Sequence, residues 1–222
     1  MIVAQPKPIK EVLEMVKDFK KILVVGCKGC VTVCNVGGAK EVGILAAAIR
    51  IARKRSGQDI EVDEHTLERQ CDPEYVDELA ETIHEYDAVI SIACGVGPQF
   101  LSERYPAVRI FPGVNTQFMG GAEAHGIWSE RCAGCGTCVV HYFGGLCPIA
   151  RCSKSLLNGP CGGSSHGKCE ISKDVECIWD TIVRKMTEQG RLEELIEFKP
   201  PKSWTTARDG GPRRMMREEL VK

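Results

Sequence analysis

The sequence has no long hydrophobic run, and no stretch approaches the roughly 18 consecutive apolar residues that a helix needs to span a bilayer. It also has no excess of charge of either sign, since 29 Lys and Arg stand against 30 Asp and Glu, for a formal net charge of −1 over 222 residues. The first absence argues against a membrane span. The second excludes a basic field over the whole protein for binding nucleic acid.

The familiar signatures of catalysis are missing too. No two histidines have the spacing of a zinc protease, and there is no nucleophile elbow and no carboxylate pair. We therefore predict no catalytic residue in this chain. The first twenty residues lack the apolar segment of a secretory signal, and Pro6 and Pro8 interrupt them. We expect a cytoplasmic protein, in which thiols stay reduced.

Cysteine is abundant instead, at 13 of 222 residues. In a reducing compartment so many cysteines indicate metal ligands or redox centres rather than disulfides. They form two groups along the chain. The first half contains Cys27, Cys30, Cys34, Cys71 and Cys94, and the second half contains Cys132, Cys135, Cys138, Cys147, Cys152, Cys161, Cys169 and Cys177.

The first half alternates short apolar runs with helical patterns, which predicts βαβ units and a small parallel sheet. We therefore predict an α/β fold, followed by a loop-rich, cysteine-rich metal-binding module and a C-terminal helix and tail. The predicted strands cover residues 22–25, 60–63, 88–93 and 108–111, and the predicted helices cover 9–20, 37–55 and 73–86, with a short helix after Pro98.

Several cysteines fall where predicted strands end. Cys27 and Cys30 follow the first strand, Cys71 precedes the helix that leads to the third, and Cys94 follows the third. We expect these thiols at the carboxyl edge of the sheet, where open α/β sheets bind ligands. Zinc sites usually draw on local cysteine pairs, so the long spacings favour a [4Fe–4S] cluster held by these four, with Cys34 able to replace Cys27 or Cys30.

The second half begins with a C-x2-C-x2-C motif formed by Cys132, Cys135 and Cys138, and Cys147-Pro148 follows. The triple is the opening of the bacterial ferredoxin run, although the Cys-Pro comes later than in a ferredoxin. Because zinc needs only C-x2-C, the third cysteine favours iron.

A stretch rich in Gly and Ser then carries Cys152, Cys161 and Cys169, and it can scarcely bury a core of its own. A metal would supply the missing stability. The eight cysteines of this half could hold two four-ligand sites, or one cluster with spare thiols. Cys177 lies in a predicted helix, and we interpret it as a small buried apolar residue.

These patterns divide the chain into an α/β domain at 1–125 with the first cluster, a cysteine-rich iron–sulfur module at 126–189, and a C-terminal helix and tail at 190–222. The tail combines Arg213, Arg214 and Arg217 with Met215 and Met216. It is either a simple extended tail or an arm that docks on a partner subunit, since Met and Arg are enriched at such surfaces.

Several blocks resemble one family, the small cysteine-rich subunit of bacterial methylenetetrahydrofolate reductase, often labelled its C-terminal domain or zinc-finger subunit. The resemblance covers residues 12–204 and is carried by VVGCKGCVTVCNVGGAKEVG, RQCDPEYVDELA, ISIACGVG, RCAGCGTC, GGLCPIARCSKSLLNGPCGG and GKCE.

The resemblance implies a heteromeric complex with a larger flavoprotein, which carries FMN in a TIM barrel and reduces methylene-tetrahydrofolate. In that setting, the Wood–Ljungdahl pathway of acetogens, this chain would have no activity alone. It would pass electrons to the flavin from an NADH-oxidising or other donor, using two [4Fe–4S] clusters. A third metal site, iron–sulfur or zinc, stays open. The alternative is a zinc-stabilised docking subunit with no redox role.

Overall fold

The computed structural model describes residues 1–220 and divides the chain into two compact units, Met1–Ser129 and a second that begins at Glu130. The predicted domain boundary at 125/126 and the further division at 190 stay predictions. No helix among the described residues is both long and apolar enough to cross a membrane.

The first unit alternates strands and helices along most of its length. Its elements, the last of which runs past Ser129 into the residues of the second unit, are β1 (Ile2–Pro6), α1 (Ile9–Met15), β2 (Lys21–Cys27), α2 (Cys30–Val33), α3 (Ala39–Arg55), β3 (Glu61–Leu67), α4 (Pro73–Val76), β4 (Ala88–Ser91), α5 (Val96–Arg104), β5 (Arg109–Pro112), β6 (Val114–Ala124) and β7 (Ile127–Cys132).

The central sheet has four parallel strands in the order β3-β2-β4-β5, as the alternating pattern predicts. The chain passes from β2 outward to β3, and then returns past β2 to β4. Between β2 and β4 the direction of winding therefore reverses, which creates a crevice at the carboxyl ends of these two strands.

The central strand β2 has apolar side chains on both sides, and they pack against other elements on both faces of the sheet. Ile22 and Val24 belong to a cluster with residues of α3, such as Ala46 and Ile49. Leu23 and Val25, which alternate with them, belong to a second cluster, with Val76, Leu79, Ile83 and Leu101. This burial on two faces explains why the strand is a continuous apolar run.

Two parts of the first unit differ from the sequence prediction. The helix predicted over 73–86 ends at Val76 and continues as separate 3-10 turns, although Val76, Leu79 and Ile83 are buried at helical spacing. The strands β1, β6 and β7, which form an antiparallel sheet in the order β1-β6-β7, were not predicted. Most of β6 and β7 is exposed or half-buried, so their sequence has no apolar run.

The second unit is mostly loop. Its elements are α6 (Pro148–Arg151), β8 (Lys168–Cys169), β9 (Ser172–Glu176) and α7 (Ile178–Glu188), with β8 and β9 paired antiparallel and only 3-10 turns described after Gly190. The unit has a small core, in which Phe143 and Trp179 meet edge to face with ring centroids 5.4 Å apart. To this core the Gly- and Ser-rich stretch contributes the partly buried Cys152 and Leu157. Most of that core comes from α7, which buries Ile178, Trp179, Ile182 and Met186.

Candidate metal centres

The crevice between β2 and β4 is flanked by cysteines on both sides. Cys27 is the last residue of β2, and Cys94 lies shortly after β4, just before α5. Ligands of open α/β sheets bind at such a reversal of winding because the loops on its two sides diverge and leave a crevice. Cys27 and Cys94 therefore flank the gap between these two strands, and a common ligand for the thiols stays a prediction.

Two further cysteines follow strand ends at the same edge of the sheet. Cys71 follows β3. Burial of its thiol raises its pKa, although the residue as a whole is exposed, and charge repulsion from Cys27 and Cys94 adds to the rise. Cys30 begins α2, and its thiolate acts in the same way on Cys34. A cation bound by these thiols would reverse the effect, because its positive charge favours the thiolate.

Cys34 differs from its neighbours. It is 4% exposed, and burial raises its pKa above the ordinary value. Its thiol donates weak hydrogen bonds to the carbonyl oxygens of Val31 at 3.6 Å and Ala4 at 4.0 Å. Because a metal ligand must be a thiolate, the two hydrogen bonds that its thiol donates leave Cys34 as the spare thiol and favour Cys27, Cys30, Cys71 and Cys94 as ligands.

Gln70, which the sequence analysis missed, fixes the Cys71 loop to the sheet. Its side chain is fully buried, at 0% exposure, and donates to the carbonyl oxygens of Val25 and Gly26, both at 2.9 Å. Its own carbonyl accepts from the Ser91 hydroxyl at 2.6 Å. One amide thus joins the ends of β2 and β4 to the residue before Cys71. The only sequence signal is a polar residue next to a strand-end cysteine.

Gly37 allows the turn after α2 to reach this edge of the sheet. A Cβ at Gly37 would lie 2.0 Å from the Ile92 carbonyl oxygen. The carbonyl oxygen of Gly37 accepts a hydrogen bond from the Cys27 N–H at 2.8 Å. A glycine at position 37 therefore allows the backbone of this turn to approach the sheet closely.

The C-x2-C-x2-C segment of the second unit forms a loop in which a backbone N–H group donates a hydrogen bond to a cysteine sulfur. The Gly134 N–H donates to the Sγ of Cys132 at 3.4 Å, and Gly134 and Gly136 both have positive φ, at 63° and 83°. Cys147 caps α6, where its Sγ accepts from the Ala150 N–H at 3.4 Å. Such N–H donors stabilise thiolates and bound sulfur clusters.

A segment near the C-terminus packs on this loop. The Thr206 hydroxyl donates to the Cys135 carbonyl oxygen at 3.0 Å, and Arg213 donates to the carbonyl oxygens of Gly134 at 2.6 Å and Thr206 at 2.8 Å. A Cβ at Gly136 would lie 2.4 Å from the Thr206 carbonyl oxygen. Part of the predicted docking tail therefore supports the cysteine loop of its own chain.

The remaining cysteines of the second unit meet at one small cavity, which is lined by Cys152, Cys161, Cys169 and Cys177. Cys177 is 8% exposed, consistent with its interpretation as a buried residue, but it begins α7 as the N-cap instead of lying inside a helix. Within residues 1–220, no three His, Cys, Asp or Glu side chains are grouped closely enough to bind a single metal ion as they stand.

These features define a class of protein, a cysteine-rich α/β chain with thiols at the winding reversal of a parallel sheet and in the loops that follow. Residues 111–205 match the model of a family described as "Methylene-tetrahydrofolate reductase C terminal". The match covers less than half of the chain but includes all eight cysteines of the second half. It supports a relation to methylenetetrahydrofolate reductase. No curated protein and no solved structure matches the chain.

Replacing Gln70 by Leu should free the Cys71 loop. The Gly26 carbonyl oxygen and the Ser91 hydroxyl would lose their buried partner, which costs about 1–3 kcal/mol for each unsatisfied group. We expect a lower free energy of unfolding in urea and faster alkylation of Cys71 in the metal-free protein. The control is Gln117→Leu, since Gln117 is exposed on β6. Equal alkylation rates in both variants would contradict the assigned role of Gln70.

Replacing Arg213 by Ala should loosen the C-x2-C-x2-C loop. The Gly134 and Thr206 carbonyl oxygens would lose a charged donor, and we expect faster amide hydrogen exchange over residues 132–138, measured by mass spectrometry. Arg214→Ala, at the exposed neighbouring position, is the control and should leave that exchange unchanged. Identical protection in the two variants would show that the Arg213 contacts do not hold the loop.

Proposed function

We propose that this chain is an iron–sulfur electron-transfer subunit that partners the FMN-containing subunit of methylenetetrahydrofolate reductase. It would pass electrons to that flavin for the reduction of methylene-tetrahydrofolate to methyl-tetrahydrofolate and would have no activity alone. The observation that supports the proposal is that cysteines follow the carboxyl ends of three neighbouring strands, β3, β2 and β4, which include both strands that border the crevice. The family match over the second half supplies the link to the reductase.

In the first unit, Cys27, Cys30, Cys71 and Cys94 would bind one [4Fe–4S] cluster. A bound cluster accepts and releases single electrons. The chain holds the thiolates in place through β2, the Gln70 amide and the turn at Gly37. Burial of Cys27 within the apolar cluster under the crevice limits access of water from below. A restricted solvent boundary is one of the ways in which a protein sets a cluster's potential.

In the second unit, Cys132, Cys135, Cys138 and Cys147 would bind the other cluster. The N–H groups of Gly134 and Ala150 already point at two of these sulfurs. Hydrogen bonds to sulfur stabilise the more negative, reduced state and so raise a cluster's potential. The Arg213 guanidinium, held against the same loop, acts in the same direction because it adds a positive charge nearby.

A zinc-stabilised docking subunit without a redox role is the second candidate. The feature that favours it is the small core of the second unit, whose loops need a metal but not an electron carrier. Iron and acid-labile sulfide in protein purified without oxygen support electron transfer. Zinc without sulfide would support the docking role instead.

The Cys94→Ala variant tests the first cluster, and Cys34→Ala is its matched control in the same crevice. We expect Cys94→Ala to lose about four irons and four sulfides per chain, because a four-thiolate site has lost a ligand. Cys34→Ala should keep full metal content, because its thiol already donates to backbone carbonyls. Loss of iron from Cys34→Ala with retention in Cys94→Ala would contradict the ligand assignment.

The Met215 and Met216 side chains, 83% and 60% exposed, are the part of the tail suited to docking. A Met215→Ser, Met216→Ser double variant keeps Arg213 and its contacts with the loop. We expect weaker binding to the flavoprotein, with a dissociation constant raised about tenfold or more, and unchanged metal content. Ile44→Ser and Ile51→Ser, at exposed apolar positions of α3, are the controls. Unchanged affinity in the double variant would remove the docking role.

A further inference from the structure

The cavity in the second unit brings together four cysteines that are not neighbours in sequence. Cys152, Cys161, Cys169 and Cys177 line it, together with Lys154, Glu170, Trp179 and three other residues. None of these four belongs to the C-x2-C-x2-C loop, and Cys177 was not among the ligands expected from the sequence.

Separate elements bring each thiol to this place. Cys152 directly follows α6, and Cys161 lies in the loop between α6 and β8. Cys169 ends β8, and Cys177 follows β9, its N–H donating to the Gly167 carbonyl oxygen at 2.9 Å. The β8–β9 hairpin therefore brings Cys169 and Cys177 to one end of the cavity, where α7 begins.

We propose that Cys152, Cys161, Cys169 and Cys177 form a four-thiolate metal centre of their own, separate from the cluster assigned to Cys132, Cys135, Cys138 and Cys147. This divides the eight cysteines of the second half into two sets of four. The metal would also hold the loop between α6 and β8, which contains no helix or strand.

The surroundings of the cavity suit negatively charged sulfur. The Gly163 N–H donates to the Sγ of Cys161 at 3.4 Å, and the Ser153 hydroxyl lies 3.9 Å from the Sγ of Cys169. The Lys154 ammonium lies within electrostatic reach of Cys161 and Cys169 and is also paired with Glu170. Hydrogen-bond donors and a cation around four thiols are the supporting interactions that thiolate-bound metals use.

The apolar side of the cavity explains how such a centre would stabilise the unit. Ile178 and Trp179, which line the cavity, belong to the small core around α7, and the Trp179 indole N–H donates to the Leu156 carbonyl oxygen at 3.2 Å. A metal bound at the cavity would tie the loop carrying Cys161 to this core. In small domains with little apolar burial, metal binding supplies folding energy directly.

The shared chemistry is four thiolates, which both zinc and a [4Fe–4S] cluster accept. No two of the four cysteines have the short C-x2–4-C spacing that is typical of structural zinc, and this favours the cluster. As they stand, the four thiols line a small cavity but are not grouped closely enough to bind one ion, so either occupant would require their side chains to turn toward a common point. Metal content after substitution distinguishes the two occupants.

The experiment uses Cys177→Ala and Cys169→Ala in the full chain, purified without oxygen, with Cys34→Ala as the control in the other unit. We expect both variants to lose the same metal: about four irons and four sulfides if the occupant is a cluster, or about one zinc if it is zinc. The control should lose neither. Full retention of iron, sulfide and zinc in both variants would overturn the proposal.

A second measurement covers the case in which a variant fails to fold. The measurement is the rate of cysteine alkylation in the unmodified protein, mapped by mass spectrometry. Although Cys161 is exposed, we expect it to react as slowly as the buried Cys177 while the metal is bound. After the metal is removed by a chelator, both should react rapidly. Rapid alkylation of Cys161 before chelation would overturn the proposal. If Cys94→Ala keeps all its iron while Cys169→Ala loses metal, the proposed first cluster fails and this centre stands.

Discussion

The side-chain amide of Gln70 holds together the part of the molecule on which the proposed chemistry depends. It joins two backbone carbonyls at the end of β2 to the Ser91 hydroxyl at the end of β4, and it precedes Cys71 directly. The loop bearing Cys71 could otherwise take many positions, because it follows an edge strand. Since every polar atom of the amide is paired and buried, moving the loop would leave buried groups without partners. This one interaction therefore fixes the residue before Cys71 against the ends of β2 and β4.

The second unit meets a different constraint, because it has few apolar residues with which to hold long loops. Its core is confined largely to one face of α7 and the aromatic contact with Phe143. Its cysteines form two sets. One lies in the loop that Thr206 and Arg213 contact, and the other lines the cavity beside Trp179. In this account the metals provide electron carriers and also replace the missing apolar burial. That dual role fits the relation to methylenetetrahydrofolate reductase that the family match supports over residues 111–205.

The sequence was sufficient for the parallel sheet, because apolar runs such as 22–25 and 88–93 are buried on both faces and stand out in any reading. It also placed Cys27 and Cys94 at strand ends, which the structure bears out. The sequence did not identify Gln70, because nothing in the neighbouring residues distinguishes a buried glutamine from an exposed one. The strands β6 and β7 were missed because their exposed faces carry no apolar pattern. Cys177 was interpreted as a buried residue because it lies in a predicted helical pattern. The cysteines that line the cavity with it come from distant positions, and the β8–β9 hairpin brings Cys169 and Cys177 to it.

The most direct test of the central claim is X-ray diffraction from crystals grown without oxygen, with data collected at the iron and zinc absorption edges. Anomalous scattering locates each metal and identifies it in the same experiment. The account predicts an iron signal in the crevice between the ends of β2 and β4, within bonding distance of Cys27, Cys30, Cys71 and Cys94, with Cys34 outside it. A crevice with zinc, or one whose thiols bind no metal while iron lies elsewhere, would contradict the account.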